Sequence, residues 1–145
     1  MKRDYPDRPI IGVGAVIVNQ GRALLVRRAT EPLKGEWSVP GGALELGEKL
    51  HDGLRREILE ETGMRVEPQE VLEVFDSIFQ DDLGRTQYHY VLIDYLCSVV
   101  GGEASPGSDV SEVRWITKAE LSGLGLRDSI ARVVRKGLAL GQAAG

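Results

Sequence analysis

The chain has 145 residues, with 18 Lys and Arg against 22 Asp and Glu, for a formal charge of −4. That length fits one domain with a core of its own, and the acidic balance argues against binding a nucleic-acid polymer, which needs a basic surface. Cys97 is the only cysteine, so no intramolecular disulfide can form.

Residues 1–9 are polar with two prolines and are expected to be a flexible tail, leaving residues 10–145 as a single domain. The tail lacks the apolar stretch of a signal peptide, and no run approaches the roughly 20 residues of a membrane span. A cytoplasmic protein without a membrane partner is expected. Ile10 to Val18 (IIGVGAVIV) is apolar and β-branched at successive positions, the pattern of a strand buried on both faces. Asn19-Gln20-Gly21 is a turn, and Arg22 to Arg28 is the returning strand of a hairpin. Arg27 and Arg28 end that strand, either solvated or with one of them reaching a substrate phosphate or base. A loop over 30–36 leads to a short strand at Trp37-Ser38-Val39, where Trp37 packs at the base of a site or stacks on a ligand. Pro40-Gly41-Gly42 reads as a turn whose missing side chains let backbone carbonyls approach an ion.

A short acidic loop follows, then a helix from about Glu48 to Thr62, stopped by Gly63 where a left-handed cap belongs. Leu50, Leu54 and Ile58 form its core-facing arc. Glu57, Glu60 and Glu61 are spaced i, i+3 and i+4 and share a neighbouring arc, where like charges repel unless a cation sits among them. On their own, three such glutamates read first as a solvated acidic face. Gly53 lies one turn before Glu57; it either permits close approach of a metal or phosphate or is merely tolerated.

Beyond the helix, strands are expected over about 71–79 and 87–99, joined by a polar loop at 80–86. His89 alternates with Val91 and Ile93 as a core or strand-pairing residue, and Tyr88, Tyr90 and Tyr95 suit strand packing as well as stacking on a base. A last strand over 112–117 runs into capping-box spacing at Thr117-Lys118-Ala119-Glu120. Leu126, Ile130, Val133, Val134 and Leu138 then mark a C-terminal helix that covers the sheet.

Counted from Gly42, the order is five residues, Glu48, seven residues, then Arg56-Glu57-Ile58-Leu59-Glu60-Glu61-Thr62-Gly63-Met64. This resembles the Nudix box, G-x5-E-x7-R-E-U-x-E-E-x-G-U with U a bulky apolar residue, at every specified position. The resemblance spans about residues 10–138 and implies an α/β fold, the α/β/α sandwich with a mixed β-sheet, which the alternation of strands and helices also suits. It implies that Glu57 and Glu61 bind Mg2+ or Mn2+, that Glu60 is a further ligand or a water-orienting base, and that a carbonyl at Gly41-Gly42 completes the set. Arg56 would pair with Glu48 or Glu60 to fix their orientation. Asp109, six residues before Trp115, lies where Nudix proteins often carry an additional acidic residue facing the metal, and Glu112 is its rival.

The expected chemistry is hydrolysis of a nucleoside diphosphate linked to another group, by water attack on phosphorus, with the metal neutralising diphosphate oxygens. An ADP-ribose-like substrate is favoured. Nucleoside triphosphate pyrophosphohydrolysis is the alternative, and a non-hydrolytic nucleotide sensor a further one. The partner is thus a small-molecule nucleotide, and pairing into a homodimer is compatible with the family.

Overall fold

The computed structural model describes residues 2–144. Seven strands and two α-helices follow in the order β1 (Ile10–Asn19), β2 (Arg22–Arg28), β3 (Trp37–Ser38), β4 (Gly41–Ala43), α1 (Leu50–Thr62), β5 (Arg65–Gln80), β6 (Thr86–Gly101), β7 (Val110–Ile116) and α2 (Asp128–Ala144). The sheet order is β3-β2-β1-β6-β5, with β4 also pairing β1 and β7 pairing β2. Only β1 and β6 pair in parallel, with Gly14 opposite Asp94, so the sheet is mixed.

Strand β1 is the hinge of the architecture. Its first half pairs with β4 through Gly12, Val13 and Gly14, and its far end turns to β2 at Val18 and Asn19. The change of partner opens a cleft between the two parts of the sheet. Successive β1 side chains go to opposite faces, and both faces are covered. Val13, Ala15 and Ile17 pack with Leu54 and Ile58 of α1, and Val16 packs with Val133, Val134 and Leu138 of α2. Helices on both faces make this an α/β/α sandwich and account for the unbroken apolar run of β1.

Four elements differ from expectation. Gly41 and Gly42 are not a turn; they begin β4, which lies antiparallel on β1. Helix α1 starts at Leu50 rather than Glu48, because the Glu48 carboxylate is turned back to accept from the Glu45 N–H at 3.0 Å. Strand β5 begins at Arg65, earlier than expected, and runs through Pro68, its register shifting on either side of that proline; β5 is a sheet edge, where proline is tolerated. The capping box at Thr117 and Glu120 opens only a 3-10 turn, Lys118–Gly123, and α2 starts later at Asp128. Gly123 ends that turn, and Gly125, at φ 63°, lies between it and α2.

The N-terminal segment meets the β5–β6 hairpin through Tyr5. Tyr5 donates its hydroxyl to Asp81 at 2.7 Å and its backbone N–H to the Gln87 carbonyl at 2.8 Å, fixing the segment to the tip of the β5–β6 hairpin. Among the described residues no helix is long and apolar enough to cross a membrane.

Candidate active site

Helix α1 presents its acidic arc to the glycines of β4, and that meeting shapes the site. Gly63 ends the helix at φ 73°, with its N–H donating to the Leu59 carbonyl at 2.9 Å. Glu57 is 9% exposed. A Cβ on Gly42 would overlap the Glu57 carboxylate, so glycine is required there. Gly41 uses its N–H rather than a side chain, donating to Glu61 Oε1 at 2.8 Å. Gly53 has a different reason to be small. A Cβ there would lie 2.6 Å from Leu44 Cδ1 and 2.8 Å from Glu48 Oε1, so it makes room for the loop before the helix.

Arg56 organises the carboxylates. Its Nε and Nη2 donate to the two oxygens of Glu48 at 2.7 and 2.9 Å, a bidentate pair. Its Nη1 donates to Glu57 Oε1 at 2.9 Å, while Glu60 is reached only at 3.4 Å. Hydrogen bonding to Arg56 holds Glu48 down at about 2. Burial raises Glu57 above the ordinary carboxylate range, with Arg56 opposing the rise. Burial also pushes Glu61 up to about 7; the Gly41 amide opposes this, the Glu57 charge adds to it, Arg28 lowers it and Asp109 raises it. Each of these acids pays a desolvation cost as an anion.

The carboxylates open onto a cavity of about 550 Å³, lined at this end by Glu57, Glu60, Glu61, Arg28 and Asp109. Arg28 donates from Nε to the Pro32 carbonyl at 2.6 Å and keeps its charge toward Glu61. Arg27 and Glu112, expected as substrate contacts, are not in the cavity wall. They pair with each other at 3.0 Å on the exposed side of β2 and β7. Strand alternation is the reason, since neighbours 27 and 28 must point to opposite faces. Asp109, rather than Glu112, faces the carboxylates.

Comparison with known proteins accords with this geometry. The profile of the NUDIX domain matches residues 8–137. The chain belongs to the Nudix family. An ADP-ribose pyrophosphatase of Methanocaldococcus jannaschii is 34% identical over 74% of this chain, and the match spans 61% of that relative's length. A nucleoside triphosphatase NudI of Enterobacter sp. is 29% identical over 79% of this chain and 86% of its own. A MutT NUDIX hydrolase of Burkholderia pseudomallei has the same fold with a TM-score of 0.76 at 30% identity, covering 90% of this chain and 98% of that one.

The Nudix helix is only one wall. The cavity is also lined by Trp37, Phe79, Asp94 and Arg127, and by Arg3 of the N-terminal segment. Trp37 is both packing and lining, half-buried against the α2 core and open to the cavity. Arg127 lies over the Phe79 ring, 5.4 Å from its centre. Of these only Trp37 drew attention in the sequence. Asp94 had a legible signal, a lone acid inside the apolar run VLIDYLC. Arg3 and Arg127 had none, because nothing local ties them to a cleft.

Proposed function

We propose that this Nudix protein hydrolyses a nucleoside diphosphate linked to another group, ADP-ribose-like, by metal-dependent attack of water on phosphorus. The observation that carries the reading is the pair Glu57 and Glu61, two desolvated carboxylates at the mouth of a nucleotide-sized cavity. Burying anions without a compensating cation is unfavourable, and the donors here are all oxygens, which suits a hard divalent ion. Among the described residues no three acidic, His or Cys side chains converge on one point as they stand. The residues nonetheless fit Mg2+ or Mn2+ in kind, as oxygen donors. Glu57 and Glu61 would hold it, with Glu60 beside them and a backbone carbonyl of Gly41 or Gly42 as a further oxygen. Bound there, the ion would neutralise the diphosphate oxygens and activate the attacking water.

The remaining work falls to the chain. Glu48 and Arg56 hold Glu57 against Gly42, so that its oxygens stay aimed at the cleft. Glu60 is the least committed of the carboxylates and is assigned the proton of the attacking water. Arg28 is assigned to the substrate's phosphates, with Asp109 also in the cavity wall. The ADP-ribose pyrophosphatase relative supports this substrate class. Nucleoside triphosphate hydrolysis is the second reading, favoured by the NudI relative, most of whose length is matched.

The test is product analysis with Mg2+ for ADP-ribose and a panel of nucleoside triphosphates, with Glu61→Gln alongside. AMP from ADP-ribose, lost in the variant, is expected. Pyrophosphate from one triphosphate would move the assignment to the nucleotide pool. No turnover of any substrate by the folded wild type would overturn hydrolysis.

A further inference from the structure

Asp94 is a buried carboxyl in the cavity wall that the hydrolytic reading leaves unused. It sits in the middle of β6, between Gly14 of β1 on one side and Glu73 of β5 on the other. It is 3% exposed, and its Oδ2 has no hydrogen-bond partner. Neither neighbour can supply one. Gly14 has no side chain, and a Cβ there would overlap Asp94 Oδ1. Glu73 is an acceptor already engaged by Arg132 at 2.9 Å. Nearly all buried polar side-chain atoms in folded proteins find a partner, so an orphan one calls for an explanation.

The surroundings supply it. Asp94 shares its sheet face with Leu92 and Tyr90, two and four residues before it, and with Phe75 opposite Leu92. These side chains line the same cavity as Glu57 and Glu61, with Gly14 between Asp94 and the Gly41 whose N–H holds Glu61. Leu92 and Phe75 give the wall an apolar surface beside Asp94, and apolar surface with a few placed polar groups is how small-molecule sites fix orientation. An ionised carboxylate without a donor is unfavourable in such a place, so the neutral acid is preferred, with one O–H donor and one acceptor oxygen. Burial, assisted by the Glu73 charge, pushes Asp94 up to about 7 in agreement.

We propose that Asp94 is the base-reading residue of this site, taking the amino–imine edge of adenine while the phosphates lie at the acidic helix. The neutral acid matches that edge, accepting from the exocyclic amine and donating to the ring nitrogen. The placement of the phosphates rests on the hydrolase reading above.

The test is calorimetric binding of AMP, of purine riboside monophosphate, which lacks the exocyclic amine, and of ribose 5-phosphate. The wild type is expected to bind AMP about tenfold more tightly than the purine analogue, the scale of one lost base-edge contact, and ribose 5-phosphate more weakly still. Asp94→Leu should bring AMP and the purine analogue together, and Asp94→Asn, which keeps a donor and an acceptor, should preserve the difference. Equal wild-type binding of AMP and the analogue, or an undiminished preference in folded Asp94→Leu, overturns the proposal. Turnover separates the two readings. Hydrolysis of ADP-ribose with no base preference removes the role of Asp94 alone. A preference that depends on Asp94 in a protein that hydrolyses nothing leaves that role standing and removes the hydrolase reading.

Discussion

Glu61 and Asp94 are two acids in one cavity, both pushed up to about 7 by burial, yet their surroundings differ in kind. Glu61 accepts from the Gly41 amide at 2.8 Å and lies within a field of other charges, Glu57 and Asp109 against Arg28. Asp94 has an oxygen with no donor, and Glu73 is the one charge that acts on it. Burial sets the proton affinity of each; the neighbours set its use. An acid among acids suits a cation, whereas a solitary acid beside an apolar surface suits a neutral hydrogen-bonding partner.

The sharpest test of that contrast is catalytic. Glu57→Gln and Glu61→Gln should each lower turnover by about 10²–10⁴-fold, the range for loss of a group acting directly in the reaction, with the melting temperature unchanged or raised. Near-normal turnover by either folded variant would break the distinction between the acidic helix and Asp94.

Stability against pH comes next. The ordinary aspartate value is about 3.9, and Asp94 is raised, so the folded state binds its proton more tightly than the unfolded chain. Its contribution is therefore most favourable below about pH 4 and is lost as pH rises through about 7. Three units correspond to about 4 kcal/mol over the whole titration, of which about 3 kcal/mol is read as a fall in urea-unfolding free energy between pH 4.5 and 7.5. Asp94→Asn should flatten that share of the slope. Glu61 is raised too and contributes in the same direction, so a slope untouched by Asp94→Asn would assign all of it to the acidic helix.

Mg2+ should then separate the pair. Bound only to the folded protein, it stabilises by about 2.7 kcal/mol at a hundredfold excess over Kd. Thermal melts at pH 7.5 should show the rise in the wild type and in Asp94→Asn, and not in Glu61→Gln. A rise lost in Asp94→Asn instead would place the cation at Asp94.

The smallest effects are steric. Gly42→Ala and Gly14→Ala should each destabilise by about 1–3 kcal/mol, as an added methyl displaces the Glu57 or Asp94 carboxyl. Gly42→Ala should also lower turnover, by less than Glu57→Gln. Gly14→Ala should act on base preference more than on kcat with a substrate in excess.

What the sequence determined by itself was the part written in short-range spacing. The acidic arc of α1, its Gly63 stop and the apolar arc beneath it follow from helical periodicity over one stretch of chain. The two-sided burial of β1 was legible from its unbroken apolar run. Tertiary structure decided what depended on register and partner. Alternation along β2 could not say which of Arg27 and Arg28 faces inward until β7 supplied Glu112 to pair with one of them. Gly41 and Gly42 became a strand because β1 changes partner beside them, a choice made between segments far apart in the chain. Asp94 was visible as an acid among apolar residues, but its isolation comes from Gly14 and Glu73 on two other strands, brought beside it only by folding. Periodicity acts within an element; the environment of a buried charge is assembled from several.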